Sequence, residues 1–152
     1  MYSFDDKKVR PICLIPEVTG PIQELWRDRW ARARTPKRIF YIARCYRYER
    51  PQFGRYREFT QLGVELLGAQ QPEDKEQALR TLTAFLDATR VPYALDERVS
   101  RGLGYYTEDG FEARCELLGA QKQLAGGGRY AEGVGWAIGL DRLLLAKELS
   151  EA

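Results

Sequence analysis

Apolar positions along the chain change their period several times, and each change predicts an element. Two extended segments around YSFD and ICLI lead into Thr19-Gly20-Pro21, where the proline suits the first turn of a helix. The following IQELWRDRWARAR sets Ile22, Leu25, Trp26 and Trp30 at helical spacing and predicts an amphipathic helix ending before Pro36. From Arg38 the pattern becomes that of a strand, since RIFYIARCYRYER is rich in aromatic and β-branched residues and is bounded by Pro51. A second strand, REFTQLGVELLG, follows the PQFGRY loop and closes at Gly68. QPEDKEQALRTLTAFLDAT opens with Pro72 and acidic residues and carries Leu79, Leu82, Phe85 and Leu86 on one stripe, a helix of a length that packs across a sheet. Short strands and turns follow in VPYALDER, GYYTEDGFEARCELLG and KQLAGGGRY, and GVGWAIG runs as a last strand into the helix LDRLLLAKELSEA. The expected fold is α+β, a mainly antiparallel sheet flanked by helices, in a single domain over residues 1–152.

Composition narrows the chemistry more than the fold. A chain of 152 residues buries a hydrophobic core without a disulfide or metal staple. Its net charge of +2 does not argue for a nucleic-acid partner, so any basic surface is local. No run of 18 apolar residues occurs and MYSFDDKKVR lacks a signal-peptide core, which sets a cytoplasmic, membrane-free protein as the expectation. Cys13, Cys45 and Cys115 stand far apart with no CxxC spacing and read as reduced thiols. The chain contains no histidine, which removes Ser-His triads, imidazole general bases and the commonest metal ligand. Chemistry must therefore run on arginine, carboxylate, tyrosine or backbone groups, with no metal site supplied by the protein alone.

The densest charge lies in RYERPQFGRYREFTQLGVE. Side chains alternate across a strand, so Thr60, Leu62, Val64 and Leu66 share one face and Phe59, Gln61, Gly63 and Glu65 the other. The first set suits burial against a helix; the second offers two polar groups around a missing side chain, room for a ligand to lie on the strand. Arg47 and Glu49 likewise share a face of the expected preceding strand. Arginine beside carboxylate suits a ligand carrying both phosphate and ammonium. The same residues also read as solvated charges pairing across strands at small net gain, and spacing leaves both readings open. Two further segments add arginines and glycines: SRGLGYYTEDGFE brings Arg101 and Tyr105-Tyr106, and AGGGRYAEGVGWAIGLDRLLLA brings a glycine triplet and Arg142 at the opening of the last helix. Glycine admits close backbone approach, and an arginine beside a helix N-terminus adds positive potential for an anion.

Taken in order, these segments resemble the catalytic core of a class II aminoacyl-tRNA synthetase, and within that class histidyl-tRNA synthetase. RCYRYERPQFGRYREFTQLGVELLG is similar to the family's motif 2, SRGLGYYTEDGFE to its RGLDYY segment, GVGWAIGLDRLLLA to motif 3, and MYSFDDKKVRPICLIPEVTG to the stretch holding its RPEGT element. The resemblance implies that Arg47 clasps the ATP α-phosphate and the substrate carboxylate, with Glu49 near the adenine and Arg55 contacting ATP from the loop. It implies Arg142 on the terminal phosphates and Arg101 on the α-phosphate during adenylation. Glu17, Thr19 and Gln61 match residues holding the α-amino group, and Glu65 and Tyr106 those recognising an imidazole. ATP with accompanying Mg2+, histidine, and tRNA or another acyl acceptor are the implied partners, and a homodimer is left open.

The pattern also departs from the family. Ile15 stands for the arginine of RPEGT and Val18 for its glycine, Thr60 for a histidine common in motif 2, and Gly104 for the aspartate of RGLDYY. Motif 1 and an anticodon-binding domain are not found, and only one helix and one strand fill a region where the family carries a larger insertion. The expected function is an adenylate-forming ligase; the alternative is a non-catalytic paralogue that binds amino acid or nucleotide and regulates or scaffolds a partner.

Overall fold

The computed structural model of the protein describes residues 1–32, 35–68, 70–100 and 102–152. Across them a short hairpin of β1 (Ser3–Asp5) and β2 (Pro11–Cys13) precedes α1 (Thr19–Leu25), which passes into a π-helical turn over Trp26–Trp30. The long hairpin of β3 (Lys37–Tyr46) and β4 (Glu58–Leu67) leads to α2 (Pro72–Thr89). Then come β5 (Ala94–Val99), β6 (Gly110–Arg114), a 3-10 turn over Glu116–Leu118, β7 (Gln123–Tyr130), β8 (Gly133–Gly139) and α3 (Leu140–Glu151). Strands β3 to β8 form one antiparallel six-stranded sheet in the order β3-β4-β8-β7-β6-β5. The α+β expectation holds. The non-local step is β8, which inserts beside β4 and so joins the β3-β4 hairpin to the four-stranded meander β5–β8.

Alternation sorts the sheet into two faces. On one, Leu62, Val64 and Leu66 of β4, Val134, Trp136 and Ile138 of β8, and Phe111 and Ala113 of β6 pack with Ala78, Leu82 and Leu86 of α2 and with Leu143 and Ala146 of α3. The stripe read on α2 is the one that is buried, although Leu79 and Phe85 lie at its margins, half-buried. Pro72 at the helix start and a reciprocal cap between Gln71 and Asp74, with Gln71 N–H donating to Asp74 Oδ2 at 2.8 Å, set where α2 begins. Trp136 Nε1 donates to Thr81 Oγ1 at 2.9 Å, so the indole buries its ring and still satisfies its donor. Each fully buried leucine, isoleucine, valine or phenylalanine of this set contributes roughly 1.5–3 kcal/mol relative to exposure.

Two local expectations are corrected. The first helix is not α-helical throughout: the π turn lets Trp26 and Trp30 both lean on the cluster of Ile22, Leu67 and Tyr130 while Arg27, Asp28 and Arg29 face water. The first long strand stops at Tyr46, so Arg47 and Glu49 do not lie on it. Arg47 N–H still reaches Arg57 O at 2.8 Å, but Glu49 N–H then turns back to Arg47 O at 2.9 Å, and the chain leaves the sheet before Pro51.

Candidate active site

The other sheet face carries the smaller cluster of Ile22, Leu67 and Tyr130 at one side, and beside it lies the cavity of about 670 Å³ whose walls hold most of the singled-out residues. Glu17, Thr19, Arg47, Glu49, Arg55, Gln61, Glu65, Tyr106 and Arg142 all line it. Arg101 lies outside the described residues; its neighbours Gly102 and Leu103 line the same cavity.

At one end is a buried acid. Glu65 is fully buried, and accepts from Thr19 Oγ1 at 2.7 Å and from Tyr130 Oη at 2.7 Å. Burial pushes its carboxyl up to about 7, against the lowering effect of the two hydroxyl donors, and the nearby Glu17 adds to the rise. Tyr130 and Tyr41 are raised by burial first and by the Glu65 charge second, which keeps both phenols protonated and Tyr130 a donor to Glu65. Glu17 sits at the start of α1, where its Oε1 accepts from Gly20 N–H at 2.9 Å and its Oε2 from Tyr105 Oη at 3.3 Å. The Tyr105 and Tyr106 rings stack in a tilted pair, 4.7 Å between centroids. Gln61 faces the same space, its Oε1 accepting from Cys45 Sγ at 3.5 Å.

At the other end are guanidinium groups, each already engaged within the chain. Arg47 Nε donates to Pro16 O at 2.9 Å, and its guanidinium stands 4.9 Å from the Phe59 ring centroid. Arg55 pairs with Glu49, and Arg57 Nε reaches the Glu49 carbonyl at 2.8 Å, which folds the 47–57 loop onto itself. Arg142 projects from the first turn of α3 and bonds the carbonyls of Gly54 and Gln121, while its Nε is buried without a partner. Burial lowers its affinity for its proton. Asp141 beside it accepts from Thr60 N–H at 2.6 Å and ties the helix start to β4.

The expectation that Gly63 leaves room for a ligand is corrected: a methyl group there would overlap the ring of Tyr41, its cross-strand partner, so the gap is filled from within. The Tyr41 hydroxyl is itself buried without a hydrogen-bond partner. Two contributors escaped the reading of the sequence. Tyr130, the second clamp on Glu65, ends the GGGRY run, and Pro16 supplies the carbonyl that orients Arg47. The signal for the first was present as glycines at every second position, Gly126 and Gly128 on β7 and Gly133 and Gly135 on β8, which mark a strand face stripped for close approach.

Among the described residues no three carboxylates or thiols gather as a metal site, and no helix is long and apolar enough to cross a membrane. Residues 2–132 match the family model described as the tRNA synthetase class II core domain (G, H, P, S and T). The chain is 26% identical to the histidine--tRNA ligase of Methanospirillum hungatei, covering 96% of this chain and 61% of that protein. Against the histidine--tRNA ligase of Natranaerobius thermophilus the figures are 26%, 99% and 61%. The alignment to the Methanospirillum protein runs over 248 positions, so the relatives carry additional residues inside the matched span. The solved apo histidyl-tRNA synthetase of S. aureus superposes with a TM-score of 0.82 at 26% identity, over 99% of this chain and 56% of that one. A Bacillus halodurans protein titled an ATP phosphoribosyltransferase regulatory subunit/histidyl-tRNA synthetase shares the fold, with a TM-score of 0.79 at 16% identity. This chain thus spans about 61% of the length of the curated relatives it matches, and with the family model covering most of its residues it belongs to the class II tRNA synthetase core family.

Proposed function

We propose that residues 1–152 form one catalytic unit that activates an amino acid with ATP, histidine being the substrate that the similarity to histidine--tRNA ligases favours. The observation that carries this reading is the single cavity with a buried carboxylate at one end and arginines at the other. An amino-acid carboxylate oxygen attacks the α-phosphorus of ATP, the bond from that phosphorus to the bridging oxygen breaks, and pyrophosphate leaves with the electron pair. No protein base is required, because the attacking carboxylate is already ionised. Catalysis rests on alignment and on positive charge meeting the charge that builds on phosphate oxygens, which suits a chain without histidine.

Glu17, Thr19 and Gln61 hold the ammonium group in this scheme, and Glu65 with Tyr106 receives the side chain. Arg47 and Arg101 take the α-phosphate, Arg55 and Glu49 the adenine side, and Arg142 the terminal phosphates. Arg142 uses one donor on each terminal nitrogen to hold the carbonyls of Gly54 and Gln121, which fixes its guanidinium at the cavity wall, and its remaining N–H groups serve the phosphates. Mg2+ would accompany the phosphates of ATP and neutralise part of their charge. tRNA, or another acyl acceptor, takes the product, and a homodimer is the proposed assembly. ATP–pyrophosphate exchange across a panel of amino acids tests the reading: exchange dependent on histidine is expected, and silence across the panel from folded protein contradicts it.

A second reading, a ligand-binding paralogue without chemistry, has its support in the fold shared with the Bacillus halodurans protein and in Ile15 and Val18, which replace the family's arginine and glycine. It predicts calorimetric binding of histidine or ATP with no exchange.

A further inference from the structure

Glu65 reaches its clamp by an unusual route. On β4 it lies directly opposite Gly135 of β8, and Gly135 lies opposite Gly128 of β7. One of its hydroxyl donors, Tyr130, belongs to β7, the strand beyond β8. The Glu65 side chain therefore leans over β8, its carboxyl lying above Gly135, and the Tyr130 hydroxyl reaches it from β7. A methyl group on Gly135 would overlap Glu65 Oε2 and lie 2.6 Å from its carboxyl carbon, where non-bonded carbons need roughly 3.5 Å. The next glycine of the row serves the same purpose for another side chain: a methyl on Gly128 would sit 2.8 Å from the Tyr106 ring.

We infer that Gly135 is the positioning residue for Glu65: the side chain it lacks is the space in which the carboxylate lies between Thr19 and Tyr130, and so the choice of glycine on β8 determines whether the pocket has an acidic floor. The inference deepens the proposed amino-acid pocket and rests on it for the ligand readout alone. The competing explanation is purely one of backbone, because the same methyl would also lie 2.6 Å from the carbonyl oxygen of Val64. A shorter acid on β4 separates the two. Glu65→Asp withdraws the carboxylate by one methylene, which relieves a clash with the side chain but does nothing for one with Val64 O.

The test compares Gly135→Ala, Glu65→Asp and the double variant in the whole chain by thermal melting, carboxyl titration by NMR, and calorimetry with histidine and, separately, ATP. Gly135→Ala is expected to return the Glu65 titration from about 7 toward its ordinary 4.5 and to weaken histidine binding at least tenfold, with ATP affinity held within about twofold. Adding Glu65→Asp to Gly135→Ala is expected to raise the melting temperature and to recover at least fivefold in histidine affinity. If Gly135→Ala does not fold, refolding of the double variant reads the same coupling. A double variant that melts no higher than Gly135→Ala, or a Gly135→Ala protein whose Glu65 still titrates near 7, overturns the inference. Should the parent chain bind no histidine, the amino-acid reading fails, while melting and titration still decide the role of Gly135.

Discussion

The two faces of the sheet are written by alternate residues of the same strands, yet they are built to opposite specifications. Under the helices β8 presents Val134, Trp136 and Ile138; on the cavity side it presents Gly135, Ala137 and Gly139. The helix face removes apolar area from water and contributes stability. The cavity face gives up that contribution and holds polar groups whose burial is unfavourable: an acid pushed up to about 7, an unpartnered Tyr41 hydroxyl and an unpartnered Arg142 Nε. Period-2 alternation thus lets one sheet carry its stability and its chemistry a single residue apart, and substitutions on the two faces should separate into losses of folding and losses of binding.

The largest effect belongs to the helix face. Leu82→Ala, at a fully buried site on α2, is expected to cost about 2–5 kcal/mol in chemical denaturation. The cavity face responds to pH instead. Because Glu65 holds its proton in the fold up to about 7 but loses it near 4.5 when unfolded, the fold binds more protons in that window and loses stability as pH rises through it. The loss is on the order of 3 kcal/mol. In Glu65→Gln that part of the pH dependence should vanish, as denaturation at pH 4.5 and 7.5 would reveal. Persistence of the full slope in the variant would place the titrating group elsewhere.

How far the sequence reveals these faces depends on the distance over which each is determined. Helix α2 and strands β4 and β8 are legible because stripe and alternation are local properties, and the Leu62, Val64 and Leu66 face follows from β4 alone. The end of β3 is not local: it depends on the last cross-strand bond to Arg57 and on the turn before Pro51, so Arg47 and Glu49 read as strand residues although they lie beyond it. What fills the space over Gly63 depends on a register that pairs it with Tyr41. Tyr130 becomes a partner of Glu65, 65 residues away in sequence, only through the insertion of β8 beside β4. The arginines are readable as residue types, but their engagement with Pro16, Gly54 and Gln121 carbonyls is a property of the folded chain.

Smaller effects sharpen the comparison at the arginine end. Arg142→Ala is expected to weaken ATP binding at least tenfold, about 1.4 kcal/mol, with little change in melting temperature, since it removes a costly buried cation along with its bonds. Calorimetry beside a melting curve checks both halves. Arg55→Ala should do least, because its pair with Glu49 is a third exposed: no more than about 1 kcal/mol in stability, and an ATP affinity lowered only a few-fold.

The central claim is that one cleft binds a nucleotide phosphate and an amino acid at once, and calorimetry with a non-hydrolysable histidyl-adenylate analogue tests it most directly. The analogue should bind far more tightly than ATP or histidine alone, and both Arg142→Ala and Glu65→Gln should weaken it. An analogue that binds no better than its separate halves, or that is indifferent to both substitutions, would contradict the account.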